Sequence, residues 1–270
     1  MPHTLLAADM DGTLLRDDYT ISPRTKKAVQ SWVASGRYFV PATGRPFCAM
    51  SHVSALFQDD MPFIVYNGAM AIMHKSQEVL FSITLSPTLV PEIYQLGTER
   101  KLPVILWCQE KLYSNYDNEY LHFYQEGSLA PTKLIESPSE LSELAAQGVT
   151  KILWMDEPAR VLSHQSEMQA HFGARVNCHA SRPDLFEFVD PAASKAIALE
   201  KIGTKLGVPR QEMAAAGDSY NDLSMLEYVG FSIAMANSPE DIKKKCSYTS
   251  LSNNEDGVAA WIEQILNAKI

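Results

Sequence analysis

Apolar residues in this chain gather in short runs that stop abruptly at polar, turn-forming residues. Leu5-Leu6-Ala7-Ala8 stops at Asp9, Tyr38-Phe39-Val40 leads to Thr43-Gly44-Arg45-Pro46, Phe63-Ile64-Val65-Tyr66 stops at Asn67-Gly68, and Met213 to Ala216 stops at Gly217-Asp218. Runs this short and continuous predict strands buried on both faces. Between them lie helical patterns. Ser22-Pro23 is an N-cap and first-turn pair for a helix to about Ala34, with Ala28, Val29, Trp32 and Val33 on its apolar face. A second helix is expected from about Pro46 to Phe57. A third opens at Ser194-Lys195, carries Ala198, Leu199, Ile202 and Leu206 on one face, and stops at Gly207. Strand alternating with helix predicts an α/β fold, a doubly wound parallel sheet.

The alternation is interrupted from about Ala69. Ala69 to Met73 and Val79 to Leu85 read as a hairpin that leaves the first layer. The stretch after it mixes helix with strands at Val104 to Cys108, Leu112 to Asn115, Lys151 to Met155, and near Val176 and Phe186. This predicts a core built from 1–84 and 189–270 and an inserted α+β domain over 85–188. A further strand at Phe231 to Ala234, a short helix from Ser238 and a final amphipathic helix from about Asp256 complete the core.

Composition narrows the function. The 270 residues carry 32 acidic and 23 basic side chains, a net charge of −9, which disfavours nucleic acid as the main partner. No apolar run reaches the ~18 residues of a membrane span, and no secretory leader is visible, so no membrane association and a cytoplasmic location are expected. The four cysteines, Cys48, Cys108, Cys178 and Cys246, have no metal-ligand spacing and read as reduced, buried thiols. His122, His164, His171 and His179 likewise show no metal spacing. The aromatic stretch Tyr113 to Tyr124 reads as packing within the insertion.

The chemistry concentrates where strands end. In parallel α/β sheets ligands bind outside the carboxyl ends of the strands, which is where Asp9, Asp11 and Asp218 fall. Ending a buried strand in two carboxylates is costly unless a cation or strong donors compensate. A hard cation such as Mg²⁺ takes a few carboxylates together with the oxygens of a phosphate. Such a phosphate needs further donors, and Thr43, the main chain at Gly44 and Lys195 suit it; Arg45 either reaches substrate or braces its own turn. One carboxylate can act as a nucleophile, and another two residues on can move protons. A calcium loop starting at Asp9 is excluded, because its sixth position would be Leu14 and its twelfth Thr20.

Taken together, Asp9-x-Asp11-Gly12-Thr13-Leu14, Thr43-Gly44-Arg45-Pro46, Asn67-Gly68-Ala69, Lys195, Gly217-Asp218-Ser219-x-Asn221-Asp222 and Ser252-Asn253-Asn254-Glu255-Asp256-Gly257-Val258 resemble the haloacid dehalogenase superfamily of phosphatases. Within it they are most similar to the Cof-type sugar-phosphatase branch, subfamily IIB. The resemblance implies a Rossmann-like core with an inserted cap of the C2 type. It also implies Mg²⁺-dependent hydrolysis of small phosphate monoesters, sugar phosphates first, through an aspartyl-phosphate. Asp9 would be nucleophile and metal ligand, and Asp11 general acid/base with its carbonyl on the metal. Thr43, Gly44, Arg45, Lys195 and Asn221 would bind substrate, and Asp218 would complete the metal site with Asp222. The partner would be a small phosphorylated metabolite, and the protein a monomer or homodimer. A sugar phosphomutase and a weakly catalytic phospho-metabolite-binding regulator remain as alternatives.

Overall fold

The computed structural model describes residues 3–128, 130 and 132–268. The chain opens with β1 (Leu5–Asp9), α1 (Pro23–Ala34), β2 (Tyr38–Ala42), α2 (Ser51–Ser54), β3 (Pro62–Val65), β4 (Met70–Met73) and β5 (Val79–Ser82). It continues through α3 (Leu89–Glu99), β6 (Val104–Cys108), β7 (Lys111–Ser114), α4 (Glu119–Ser128), β8 (Thr132–Leu134), α5 (Pro138–Gln147), β9 (Val149–Met155), α6 (Pro158–Phe172), β10 (Asn177–Arg182) and β11 (Leu185–Val189). It closes with α7 (Lys195–Leu206), β12 (Met213–Gly217), α8 (Leu223–Tyr228), β13 (Phe231–Ala234), α9 (Glu240–Lys243), β14 (Tyr248–Thr249) and α10 (Gly257–Asn267). Contacts divide the chain into two compact units: residues 1–44, 51–82 and 194–270, and residues 45–50 with 83–193.

The first unit is built on an eight-stranded sheet in the order β14-β13-β12-β1-β2-β3-β4-β5. From β14 to β3 the neighbours are parallel, and β3-β4-β5 are antiparallel. The hairpin β4-β5 therefore extends the first sheet and does not leave it, contrary to the expectation from the broken alternation. Strand pairing is a long-range choice, and the apolar pattern of a hairpin is the same whichever sheet edge it joins. All five residues of β1 are buried, as a central strand covered on both faces requires. On one face Leu5, Ala7, Val40, Ile64 and Ala215 pack with Ala198, Leu199 and Ile202 of α7 and with Met225 of α8. On the other, α1 packs on α10, with the Trp32 and Trp261 rings 5.7 Å apart.

Local chemistry sets the helix starts. Ser22 accepts a hydrogen bond from the Thr25 amide, Pro23 occupies the first turn, and Ser194 accepts from the Ala196 amide ahead of α7. The helix expected from Pro46 to Phe57 is instead a 3₁₀ turn, Phe47–Met50, followed by the single turn of α2.

In the second unit a six-stranded sheet, β10-β11-β9-β6-β7-β8, is antiparallel except between β7 and β8. Its apolar face carries Val104, Leu106, Ile152, Trp154, Phe186 and Phe188, covered by Val90 and Ile93 of α3, Leu144 of α5, and Met168 and Phe172 of α6. Because successive strand residues alternate faces, Trp107, Lys151 and Glu187 lie on the opposite side. There Lys151 Nζ meets Glu187 Oε1 at 3.1 Å, and the Trp107 indole donates to the Tyr124 hydroxyl of α4 at 3.1 Å. Tyr113 packs against the apolar core of the unit. Of the cysteines, Cys108 and Cys178 are buried, whereas Cys48 and Cys246 are only partly so. None of the four forms a disulfide among the described residues.

Candidate active site

Three parallel strands end side by side at the site. Asp9, the last residue of β1, is in register with Ala42 of β2, so Thr43 follows beside it. On the other flank Ala8 is in register with Ala216 of β12, which delivers Gly217 and then Asp218. The twist and spacing of a parallel sheet thus assemble residues 9, 43 and 218 from distant parts of the chain.

Lys195, the first residue of α7, joins these ends. Its ammonium lies 2.5 Å from Asp9 Oδ1 and 2.6 Å from Asp222 Oδ1, with its side chain wholly excluded from solvent. Burial alone would lower the lysine's affinity for a proton, but the Asp222 and Asp9 carboxylates outweigh it and raise the pKa above the usual lysine range. Asp222 is equally buried. Its Oδ2 accepts from the main-chain amides of Asp218 and Ser219 at 3.0 and 3.1 Å, which fixes the turn that presents Asp218.

Asp218 Oδ1 accepts from the Thr13 hydroxyl at 2.9 Å. Burial, reinforced by the charge of Asp222, pushes Asp218 up to about 6. Asp9 is also raised well above the usual carboxylate range, first by burial and then by Asp222, against the pull of Lys195. Beside burial, a charge imbalance contributes. Three carboxylates, Asp9, Asp218 and Asp222, bring oxygens within 4.8 Å of one another and face one ammonium. Two negative charges are left over in a poorly solvated place, and an oxygen-only donor set of this kind fits a hard divalent cation. Asp9 Oδ2 accepts no hydrogen bond among the described residues and so is open to either a cation or an electrophile.

Asp11 does not join this cluster. Its side chain is exposed. Asn221, expected to contact substrate, donates from Nδ2 to Asn67 Oδ1 at 3.3 Å. Gly44 lies so close to Asn67 that a Cβ there would stand 3.0 Å from both side-chain amide atoms, so a larger residue would require the Asn67 side chain to give way. Arg45 falls within the second compact unit.

Sequence reasoning passed over several residues that hold the site. Thr13, part of the first motif, orients Asp218. Asn237 Nδ2 donates to the Gly12 carbonyl at 2.8 Å, and Asn253 Nδ2 donates to the Leu15 carbonyl and to Asp17 at 3.0 and 2.9 Å. Together they clamp the loop that follows Asp11. The available signals were the presence of Thr13 in the first motif and of Asn253 in the last. The histidines of the insertion behave as expected of packing and surface groups: His122, His164 and His171 pair with Asp117, Asp156 and Glu92.

Comparison with known proteins places this geometry. The family model for haloacid dehalogenase-like hydrolases matches residues 6–262. The chain belongs to that family. It is 30% identical over 271 residues to the 5-amino-6-(5-phospho-D-ribitylamino)uracil phosphatase YitU of Bacillus subtilis, covering 96% of both proteins. A haloacid dehalogenase-like hydrolase from Bacteroides thetaiotaomicron superposes with a TM-score of 0.88 at 26% identity, over 97% of this chain and 99% of that one. The fold is also that of the subclass IIB sugar phosphatase BT4131, with a TM-score of 0.79 at 21% identity over 97% and 98% of the two chains. This haloacid dehalogenase-like hydrolase is therefore an enzyme, a phosphatase of its family, on an α/β core with a parallel sheet. No helix among its described residues is long and apolar enough to cross a membrane.

Proposed function

We propose that the chain hydrolyses phosphate monoesters of small metabolites, sugar and polyol phosphates first, with Mg²⁺ and through an aspartyl-phosphate at Asp9. The observation that carries this reading is the state of the Asp9 carboxylate. Lys195 holds Oδ1, while Oδ2 takes no hydrogen bond among the described residues. A carboxylate gripped by one oxygen and open at the other is poised to attack.

Asp9 Oδ2 forms a bond to phosphorus as the bond to the ester oxygen breaks, and Asp11 gives that oxygen a proton. Asp11 then takes a proton from the water that attacks the aspartyl-phosphate, releasing phosphate and restoring Asp9. The exposure of the Asp11 side chain suits a group that must exchange protons with solvent. Lys195 neutralises charge on the phosphoryl oxygens, and Thr43 and the Gly44 main chain donate to them. Asp9, Asp218 and the Asp11 carbonyl would hold Mg²⁺, with Asp222 behind them, and the bound ion supplies the positive charge that lets two anions approach. Residues 83–193 are read as the cap that selects the leaving group, and residues 45–50, Arg45 included, as part of the same substrate-selecting unit. The sugar or polyol preference draws on the relative at 30% identity, whose substrate carries a phosphoribityl group.

The test is hydrolysis of p-nitrophenyl phosphate with Mg²⁺, followed by a panel of phosphorylated sugars and polyols. Phosphate release that disappears in Asp9→Asn supports the reading. Absence of turnover in the wild type, or undiminished turnover in Asp9→Asn, overturns it.

A further inference from the structure

Three successive residues beyond β3 adopt left-handed backbone: Tyr66 at φ 52°, Asn67 at φ 54° and Gly68 at φ 94°. Such a run costs free energy at each non-glycine position, and a fold retains it only where the surroundings enforce it. Here they do so from both sides. The Asn67 amide donates to the Thr43 carbonyl at 2.9 Å. Gly68 is pressed against the start of α7, where a Cβ would stand 2.2 Å from the Ser194 carbonyl and 2.5 Å from the Lys195 nitrogen. Asn67 is thus pinned between the Thr43-Gly44 turn and the peptide that carries Lys195.

The hydrogen bonds around its side chain have a fixed direction. The Ser219 hydroxyl donates to Asn221 Oδ1 at 2.5 Å, which leaves Asn221 Nδ2 as the donor to Asn67 Oδ1 at 3.3 Å. The relay ends at Asn67 Nδ2, which finds no acceptor among the described residues and lies beside Gly44. A polarised chain that terminates in an unused N–H pair, on a backbone held in a costly conformation, is built to receive an acceptor. Both neighbours that pin it, the Thr43-Gly44 turn and the start of α7 with Lys195, are proposed above to bind phosphate.

We propose that Asn67 is a phosphate-binding residue, its Nδ2 donating to a non-bridging oxygen of the substrate's phosphoryl group and Asn221 orienting it. The ligand class is a tetrahedral oxyanion bearing an ester or a proton. The inference rests on the phosphatase reading and extends its site to a residue for which that reading needs no role.

Inorganic phosphate, titrated calorimetrically in the presence of Mg²⁺, tests it with the wild type, Asn67→Gly and Asn67→Asp. Glycine keeps the left-handed backbone at no steric cost and removes the amide. Aspartate tolerates the same backbone, still accepts from Asn221, and replaces the donor with a charge that repels phosphate. Both variants are expected to unfold at the wild-type temperature while the phosphate dissociation constant rises at least tenfold in Asn67→Gly and further in Asn67→Asp. Wild-type affinity in both variants overturns the proposal, as does a loss confined to Asn67→Gly, which would mark a loosened loop. If the wild type hydrolyses esters yet neither variant changes phosphate affinity, this inference fails and the function stands. If phosphate binding depends on Asn67 but no ester is turned over, the function fails and this inference stands. Absence of phosphate binding by the wild type overturns this inference, while the function is decided by ester turnover.

Discussion

Lys195 and Asp222 form an ion pair of 2.6 Å in which both side chains are wholly shut off from solvent. A buried charge left without its partner is strongly destabilising, at about 3–5 kcal/mol when one member is removed. Asp222→Ala strips Lys195 of one carboxylate and also orphans the amides of Asp218 and Ser219. Asp9 still holds the ammonium, so a loss near the lower figure, about 3 kcal/mol, is expected in urea unfolding. Asp222→Asn keeps an acceptor oxygen and is expected to recover part of that stability. A stability for Asp222→Ala equal to the wild type's would refute the orienting role.

The acid response follows from Asp218, held up to about 6 by burial and then by the Asp222 charge. Its value in the unfolded chain is near 3.9, so folding takes up a proton between the two values. The penalty for its ionised form is fully present above pH 6 and is relieved as pH falls towards 4. Cation binding runs the opposite way, because it requires the ionised carboxylates. With EDTA, Asp218 favours the folded state more at pH 5 than at pH 7. The upward shift in thermal midpoint produced by Mg²⁺ is expected to be large at pH 7 and to shrink at pH 5. An equal shift at both values would show that Asp218 does not titrate in the cation site.

Asp9 and Asp11 separate in the structure, one buried in the acidic cluster and the other exposed outside it. Asp11→Asn is expected to slow p-nitrophenyl phosphate turnover by about 10²–10⁴, the range for losing a general acid/base, while Mn²⁺ affinity measured by calorimetry stays close to wild type. Asp9→Asn is expected to abolish turnover and weaken Mn²⁺ binding together. Equal loss of Mn²⁺ affinity in both variants would contradict the division of labour.

Gly68→Ala probes the seam between the turn after β3 and α7. The new methyl would meet the Ser194 carbonyl at 2.2 Å, on a residue at φ 94°. Main-chain atoms cannot rotate out of the way, so Ser194 and Lys195 must shift. Overpacking of this kind costs about 1–3 kcal/mol, and the displaced ammonium is expected to lower turnover beyond what the stability loss explains. A stable, fully active Gly68→Ala would show that the seam is not critical.

Much of this molecule was readable from residue order. The apolar runs ending in Asp9, Thr43 and Asp218 marked buried strands and the polar residues at their tips, because a buried strand shows its length and a charge at its end shows where burial stops. Ser22-Pro23 and Ser194-Lys195 marked helix starts, because capping is a contest between near neighbours. The motifs themselves sufficed to anticipate the family. Tertiary structure decided the rest, wherever the deciding partner is far away in sequence. The hairpin β4-β5 joined the first sheet because pairing depends on which edge is free. Lys195, legible as a phosphate ligand, proved to be clamped between Asp9, 186 positions away, and Asp222. Asn67 read as a turn residue until the fold set it beside Gly44 and Asn221. Periodicity and capping are local physics that a sequence spells out, whereas charge balance and close approach depend on distances that exist only once the chain has folded.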